Sequence, residues 1–170
     1  MTTETNFDPD LDRRVEHLEH VEEIATLKAN LMRRVDESIN GGRGTDHLVD
    51  VLAGIAVEVS DLKGYSVPVS DLLTIAGSVT FSLCFLGSPS IRFVRGGVDE
   101  AVGEWVTWHP VTLAGEAWIV AGRFADTFKR VGDRWWFNRM SFTPEIVAPW
   151  KEGWGDPRRH APVTGLTAQA

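Results

Sequence analysis

The sequence predicts an α+β fold in which the helices come first and the sheet follows. Charged residues at helical spacing crowd the first 55 positions, while every tryptophan lies later: Trp105, Trp108, Trp118, Trp135, Trp136, Trp150 and Trp154. From Val79 onward, apolar runs of strand length alternate with Gly and Pro turn residues. Helices and strands segregated in this way give helices packed on an antiparallel sheet. The 170 residues suit one domain, read as 1–150, with a tail at 151–170.

Asp8-Pro9 predicts a helix start, with Asp as N-cap and Pro at the first helical position. Leu11, Val15, Leu18, Val21, Ile24, Leu27, Leu31, Val35 and Ile39 then recur every three or four residues, until Gly41-Gly42 ends the pattern. The early members of this stripe point elsewhere on a helical wheel than the later ones. A short helix, a bend near His20 and a longer helix from Glu22 to Ile39 are therefore expected. Thr45 predicts an N-cap for a short helix through Ala53, with Leu48, Val51 and Leu52 as its apolar face. Ala56–Ser60 reads as a short strand, Lys63-Gly64 as a turn, and Ser70-Asp71 as the start of a helix over Leu72–Gly77.

Four or five antiparallel strands are expected after that. Thr80–Leu86 runs to a turn at Gly87-Ser88-Pro89, and Ser90–Arg95 to one at Gly96-Gly97. Ala101–Leu113 is interrupted by Pro110, which a central strand tolerates badly. Trp118–Arg130 leads through Val131-Gly132-Asp133 into Arg134–Phe142, which ends at Pro144. Within Trp118–Arg130 the alternation puts Trp118, Val120, Gly122, Phe124, Asp126 and Phe128 on one face, which is expected to pack inward. Gly122 marks a bend or the close approach of another group. The tail Lys151–Ala170 holds too little apolar material for a core and is expected to be flexible or laid on a neighbouring subunit.

Composition excludes several function classes. A net charge of −7 disfavours nucleic acid, whose phosphates need clustered Lys and Arg. Cys84 stands alone, so neither an intramolecular disulfide nor a cysteine metal cage can form. The polar, acidic start lacks a signal peptide's pattern and no apolar run is long enough to span a membrane, so a cytoplasmic protein with no membrane partner is expected. P-loop, dinucleotide, HExxH and G-x-S-x-G motifs are all missing. The five histidines show no metal spacing, and His17 and His20 sit among Glu16, Glu19, Glu22 and Glu23 on what reads as a solvated face.

A few polar residues interrupt the apolar patterns. Asp36 is either a surface carboxylate paired with Arg33 or Asn40, or a pocket-mouth carboxylate. His109 shares a strand face with Trp105 and Thr107, and reads equally as a general acid or base and as a half-buried histidine beside the Pro110 break. Arg139 reads as the partner of a carboxylate such as Asp126, or as a binder of a substrate oxygen. Lys28 lies inside the apolar stripe, where a lysine ordinarily snorkels to water and otherwise is a buried catalytic amine. Cys84 reads as core.

Two stretches carry a family resemblance. Glu22–Asp36 (EEIATLKANLMRRVD) resembles the first long helix of the SnoaL-like branch of the nuclear transport factor 2-like superfamily. Ala117–Arg130 followed by Trp135-Trp136-Phe137 resembles that family's G-x-Y-x-D-x-Y-x-R…W-x-F hairpin. The ending Phe142-Thr143-Pro144 is similar to the lindane dehydrochlorinase and bile-acid dehydratase branch, and the likeness spans about residues 11–155.

The resemblance implies a cone: a curved antiparallel sheet wrapped over N-terminal helices around one apolar pocket. It also implies general acid–base chemistry without a cofactor or metal, and a homo-oligomer, dimeric or trimeric. Asp36 matches the branch's aspartate, whereas Leu31 and Phe85 stand where that branch has catalytic Tyr or Lys and His. His109 falls near a polar position of the next strand, which is histidine in scytalone dehydratase.

The expected function is therefore a cofactor-free lyase of dehydratase type, or an isomerase or cyclase, acting on a small hydrophobic or aromatic molecule. His109 and Asp36 are its catalytic residues, and Leu31, Phe85, Trp105, Thr107, Trp118, Phe124 and Arg139 its substrate contacts. The alternative is a non-catalytic binding or assembly module of the same fold.

Overall fold

One helix organises the molecule. In a computed structural model that describes residues 9–61, 63–94 and 99–151, α1 runs unbroken from Pro9 to Asn40. The expected bend near His20 is absent because neither Gly nor Pro interrupts the segment beyond its first residue. His20 also belongs to the same four-residue row as Ile24, Lys28, Met32, Asp36 and Asn40, which forms one continuous ridge. All of this ridge up to Asp36 is buried. His20 packs edge-on against Trp135 and Phe93, with ring centroids 5.8 and 6.3 Å away, so it does not lie on a solvated face as expected. Leu11, Val15 and Leu18 of the early stripe remain exposed.

Two short helices follow, α2 (Gly44–Val51) and α3 (Val69–Gly77). Thr45 lies inside α2 instead of capping it; Arg43 holds the N-cap position without a side-chain hydrogen bond. The turn expected at Lys63-Gly64 forms, with Gly64 at φ +85° and the Asp61 carboxylate accepting from the backbone N–H groups of Lys63 and Tyr65.

The strands are β1 (Ala56–Ser60), β2 (Ser66–Val67), β3 (Val79–Ser82), β4 (Phe85–Phe93), β5 (Glu100–Leu113), β6 (Glu116–Val131) and β7 (Arg134–Pro149). They form one seven-stranded sheet in the order β2-β1-β7-β6-β5-β3, with β4 sharing the β5 edge beside β3. The expected purely antiparallel sheet of four or five strands is corrected: β1 lies parallel to β7, so the sheet is mixed. Strand alternation is the same in either pairing direction, which is why the sequence did not report it.

Three expected interruptions are absorbed by the sheet. Pro110 sits inside β5, opposite the Leu83-Cys84 gap between β3 and β4, where no ladder bond to its nitrogen is called for; its carbonyl accepts from the Leu83 N–H at 3.2 Å. Gly87-Ser88-Pro89 is a bulge on this edge and not a turn, with Ser88 at φ 51° and the register shifted between Gly87 and Ser90. Pro144 lies in β7 beyond the stretch paired with β1, so its missing N–H costs no ladder bond there. Gly122 is required by close approach, as expected: a Cβ there would meet the Thr143 carbonyl oxygen at 2.2 Å. The turn expected at Gly96-Gly97 and nearly all of the 151–170 tail lie outside the described residues.

The core lies between α1 and the inward sheet face, where Ile24, Leu31 and Met32 meet Trp105, Phe124, Phe128 and Phe137. At its centre is an ion pair. Lys28 Nζ and Asp126 Oδ2 lie 2.8 Å apart with both side chains fully sealed from water. Their contact is off the line of a directed hydrogen bond. The ammonium also sits over the Phe124 ring, 3.4 Å from its centroid. Lys28 therefore neither snorkels to water nor leaves Asp126 for Arg139, which instead meets Glu58 at 3.4 Å in the open. Burial pushes the Lys28 ammonium below its ordinary value, with Asp126 opposing, and pushes the Asp126 carboxyl up, with Lys28 opposing.

A buried pair of this kind is costly to break and cheap to replace whole. Lys28→Met or Asp126→Leu alone is expected to lower unfolding stability by about 3–5 kcal/mol, and the double variant to recover most of it, read by urea melts. A double variant as unstable as either single one would contradict the pairing.

Candidate active site

The last two turns of α1 stitch the helix to β3. The Asn40 side chain grips the Ser82 backbone like a neighbouring strand: its Nδ2 donates to the Ser82 carbonyl and its Oδ1 accepts from the Ser82 N–H, both at 2.8 Å. One turn earlier, Asp36 accepts from the Cys84 N–H on Oδ2 at 2.8 Å and from the Ser82 hydroxyl on Oδ1 at 2.6 Å. The chain gap between β3 and β4 exists because these backbone groups turn to the helix.

Ser82 joins Asp36 to His109. Its Oγ lies 2.7 Å from His109 Nε2, while Asp36 Oδ1 stays 3.7 Å from that nitrogen. The serine has one hydrogen, and the ionised carboxylate can only accept. That hydrogen therefore goes to Asp36, so Nε2 must donate to Ser82. In the neutral ring this leaves a lone pair on Nδ1, which has no hydrogen-bond partner among the described residues. The order is Asp–Ser–His, with the acid on the serine. A hydrolytic triad needs the acid on the far nitrogen of the histidine and an exposed serine, whereas Ser82 is fully buried.

His109 and Ser82 line a cavity of about 280 Å³ between the helices and the sheet. Val35, Ile39, Leu52 and Ile75 close it from the helices, and Val111 and Val120 face them from the sheet. Trp118 and Phe124 are on the wall, as expected; Phe124 packs against Phe142 with ring centroids 4.9 Å apart.

The remaining expected contacts sit elsewhere. Asp36 stands behind the wall, reaching the cavity only through Ser82. Leu31 and Trp105 are packed in the core. Thr107 is buried, donating to the Phe85 carbonyl at 3.0 Å and touching Cys84 Sγ at 3.3 Å. Phe85 is 54% exposed, and Arg139 is held by Glu58. None of these six residues lines the cavity. Sequence reasoning missed Ser82 and the clamping role of Asn40. The available signal was the four-residue ridge from Lys28 through Asp36 to Asn40, which places all three against the sheet.

No protein-family model matches the sequence, and a search of curated proteins finds no match. Solved structures do match. A provisionally assigned scytalone dehydratase from Novosphingobium aromaticivorans DSM 12444 superposes with a TM-score of 0.56 at 17% identity, covering 82% of this chain and 91% of that one. The type 2 hexachlorocyclohexane dehydrochlorinase LinA gives 0.54 at 13% identity, over 82% and 92% of the two chains. LinA-type3 from Novosphingobium barchaimii LL02 gives 0.54 at 15%, over 82% and 93%. The chain has the SnoaL-type, nuclear transport factor 2-like fold. At these identities the likeness establishes the fold and not the activity.

Within this SnoaL-type cone the described residues hold no group of three or more His, Cys, Asp and Glu placed to bind a metal ion, and no helix long and apolar enough to cross a membrane. Burial pushes the Cys84 thiol up, so it is not an activated nucleophile. Burial alone would raise the Asp36 carboxyl, but the nearby His109 ring and hydrogen bonds from the Cys84 N–H and the Ser82 hydroxyl outweigh it and hold Asp36 below its ordinary value. The folded state then favours the ionised form. The stabilisation is fully present above the unfolded value of 3.8 and is lost as pH falls through the lower folded value. Thermal melts between pH 6 and 2 are expected to show a smaller acid loss of Tm in Asp36→Asn than in the parent. Parallel curves would contradict the bonded carboxylate.

Proposed function

We propose that this SnoaL-type chain is a lyase of dehydratase type, with His109 as the proton-transfer residue for a small hydrophobic substrate. The observation that supports the reading is the Ser82 bridge, which fixes the proton on Nε2 and turns Nδ1 into the available base. Among the described residues, no other titratable side chain is found on the cavity wall. The chemistry is therefore single-base. Nδ1 takes a proton from carbon, the adjacent carbon–oxygen bond breaks, and the same imidazolium gives that proton to the departing hydroxyl, leaving an alkene and water. Asp36, across Ser82, offsets the charge on the imidazolium while it lasts. This step draws on no cofactor. Returning the proton to a different carbon would make the same site an isomerase, and product analysis separates the two.

The fold neighbours add support at the level of reaction class, since the dehydrochlorinases among them carry an elimination in their name. A second reading, a binding module, is favoured by Leu31 and Phe85 at the positions where the resemblance puts catalytic groups. Conversion of hydrophobic alcohols, followed by gas chromatography, tests both. Positioned general acid–base catalysis contributes about 10²–10⁴-fold. His109→Ala is expected to lose that factor in kcat while still binding ligand. Ser82→Ala is expected to lose a smaller factor, about tenfold, because the ring keeps its place but not its fixed tautomer. Binding without conversion across the alcohols would overturn the lyase reading in favour of the module.

A further inference from the structure

Polarity on the cavity wall is confined to one spot. Besides Ser82 and His109, which touch each other, the lining side chains are apolar, with only the Trp118 indole N–H as a further donor. Among the described residues, no Lys, Arg, Asp or Glu lines it. Three cations on the elements that build the wall are paired: Lys28 to Asp126 beneath Phe124, Arg139 to Glu58, and Arg123 to Glu145 at 2.6 Å. His109 cannot receive an anion cheaply either, since Asp36 already stands 3.7 Å from its Nε2. A carboxylate entering the cavity would place two negative groups about one imidazole in a water-poor setting.

Shape gives a second constraint. Branched aliphatic side chains from α1, α2 and α3 face valines of β5 and β6, and the aromatic wall is confined to Trp118 and the tilted Phe124–Phe142 pair. Such a wall is largely aliphatic, and the Phe124 and Phe142 rings, tilted 40° to each other, form no parallel slot for a flat ring. Its volume of about 280 Å³ is about twice the roughly 150 Å³ that holds one benzene, room for on the order of eleven heavy atoms.

We infer that this site takes a neutral branched or alicyclic alcohol of about that size, with one hydrogen-bonding group at His109, and excludes carboxylates and phosphates. The inference rests on the acid–base reading for the role of the hydroxyl, and on the wall alone for the selectivity.

Calorimetric titration at pH 8 tests it with four probes of matched size: 4-tert-butylcyclohexanol, tert-butylcyclohexane, 4-tert-butylcyclohexanecarboxylate and 2-naphthol. The alcohol is expected to bind at least 30-fold more tightly than the carboxylate and at least fivefold more tightly than either of the others. Its advantage over the hydrocarbon is expected to vanish in His109→Ala. A carboxylate within threefold of the alcohol, a preference for 2-naphthol, or no binding of the alcohol overturns the substrate class. The arms fail separately: selective binding of the alcohol with no turnover upholds the substrate class and removes the lyase reading, whereas His109-dependent dehydration of a hydroxycarboxylate, with no binding of the neutral alcohol, does the reverse.

Discussion

The ion pair between Lys28 and Asp126 decides where α1 lies on the sheet, and the rest of the site follows from that placement. Neither charge reaches water, so the pair can be satisfied only with the helix seated at one height and one rotation. Two turns and a fraction farther along the same ridge, about 12 Å at the helical rise, Asp36 arrives at the end of β3. Met32, between them on the ridge, lines the cavity. A single helix face therefore carries the anchor, part of the cavity wall and the acid behind it. Asn40 completes the arrangement by replacing strand hydrogen bonds at Ser82 with its own amide. The fold accepts the broken β3–β4 edge because the helix side chains satisfy the backbone there.

The site is economical in polar groups. An aspartate within hydrogen-bonding contact of a histidine would hold it directly. Here a fully buried serine stands between, so the carboxylate reaches the ring through a hydroxyl. Among the described residues, His109 is the one titratable side chain on an otherwise apolar cavity wall. The positions that the family resemblance would fill with catalytic groups, Leu31 and Phe85, have gone to the core and to the surface. A shared fold leaves the site free to differ, since function resides in the site and not in the fold.

Much of this was legible in the residues. The helical stripe, the inward face of β6 with Asp126 on it and the close approach at Gly122 all follow from spacing and alternation, while Asp36 and His109 come together as candidates only through the family resemblance. What spacing could not supply was direction and depth. β1 runs parallel to β7, and alternation is blind to that. Trp105 and Thr107 share the His109 face of β5, yet strand curvature sinks them into the core while His109 remains at the cavity. Phe85 is expected at the pocket because the resemblance places it at the branch's histidine position; the β3–β4 break that leaves it exposed depends on side chains of α1 more than forty residues earlier. Lys28 was read as a snorkelling residue because its partner lies on a distant strand, and a lone lysine in an apolar stripe does not name its carboxylate.

The central claim is that Ser82 fixes the His109 tautomer, and nitrogen-15 NMR of the histidine side chains measures it most directly. At a pH where the ring is neutral, the proton is expected on Nε2 with Nδ1 bare, and Ser82→Ala is expected to let both tautomers populate. A proton found on Nδ1 in the parent protein, or a tautomer unchanged by Ser82→Ala, would contradict the relay.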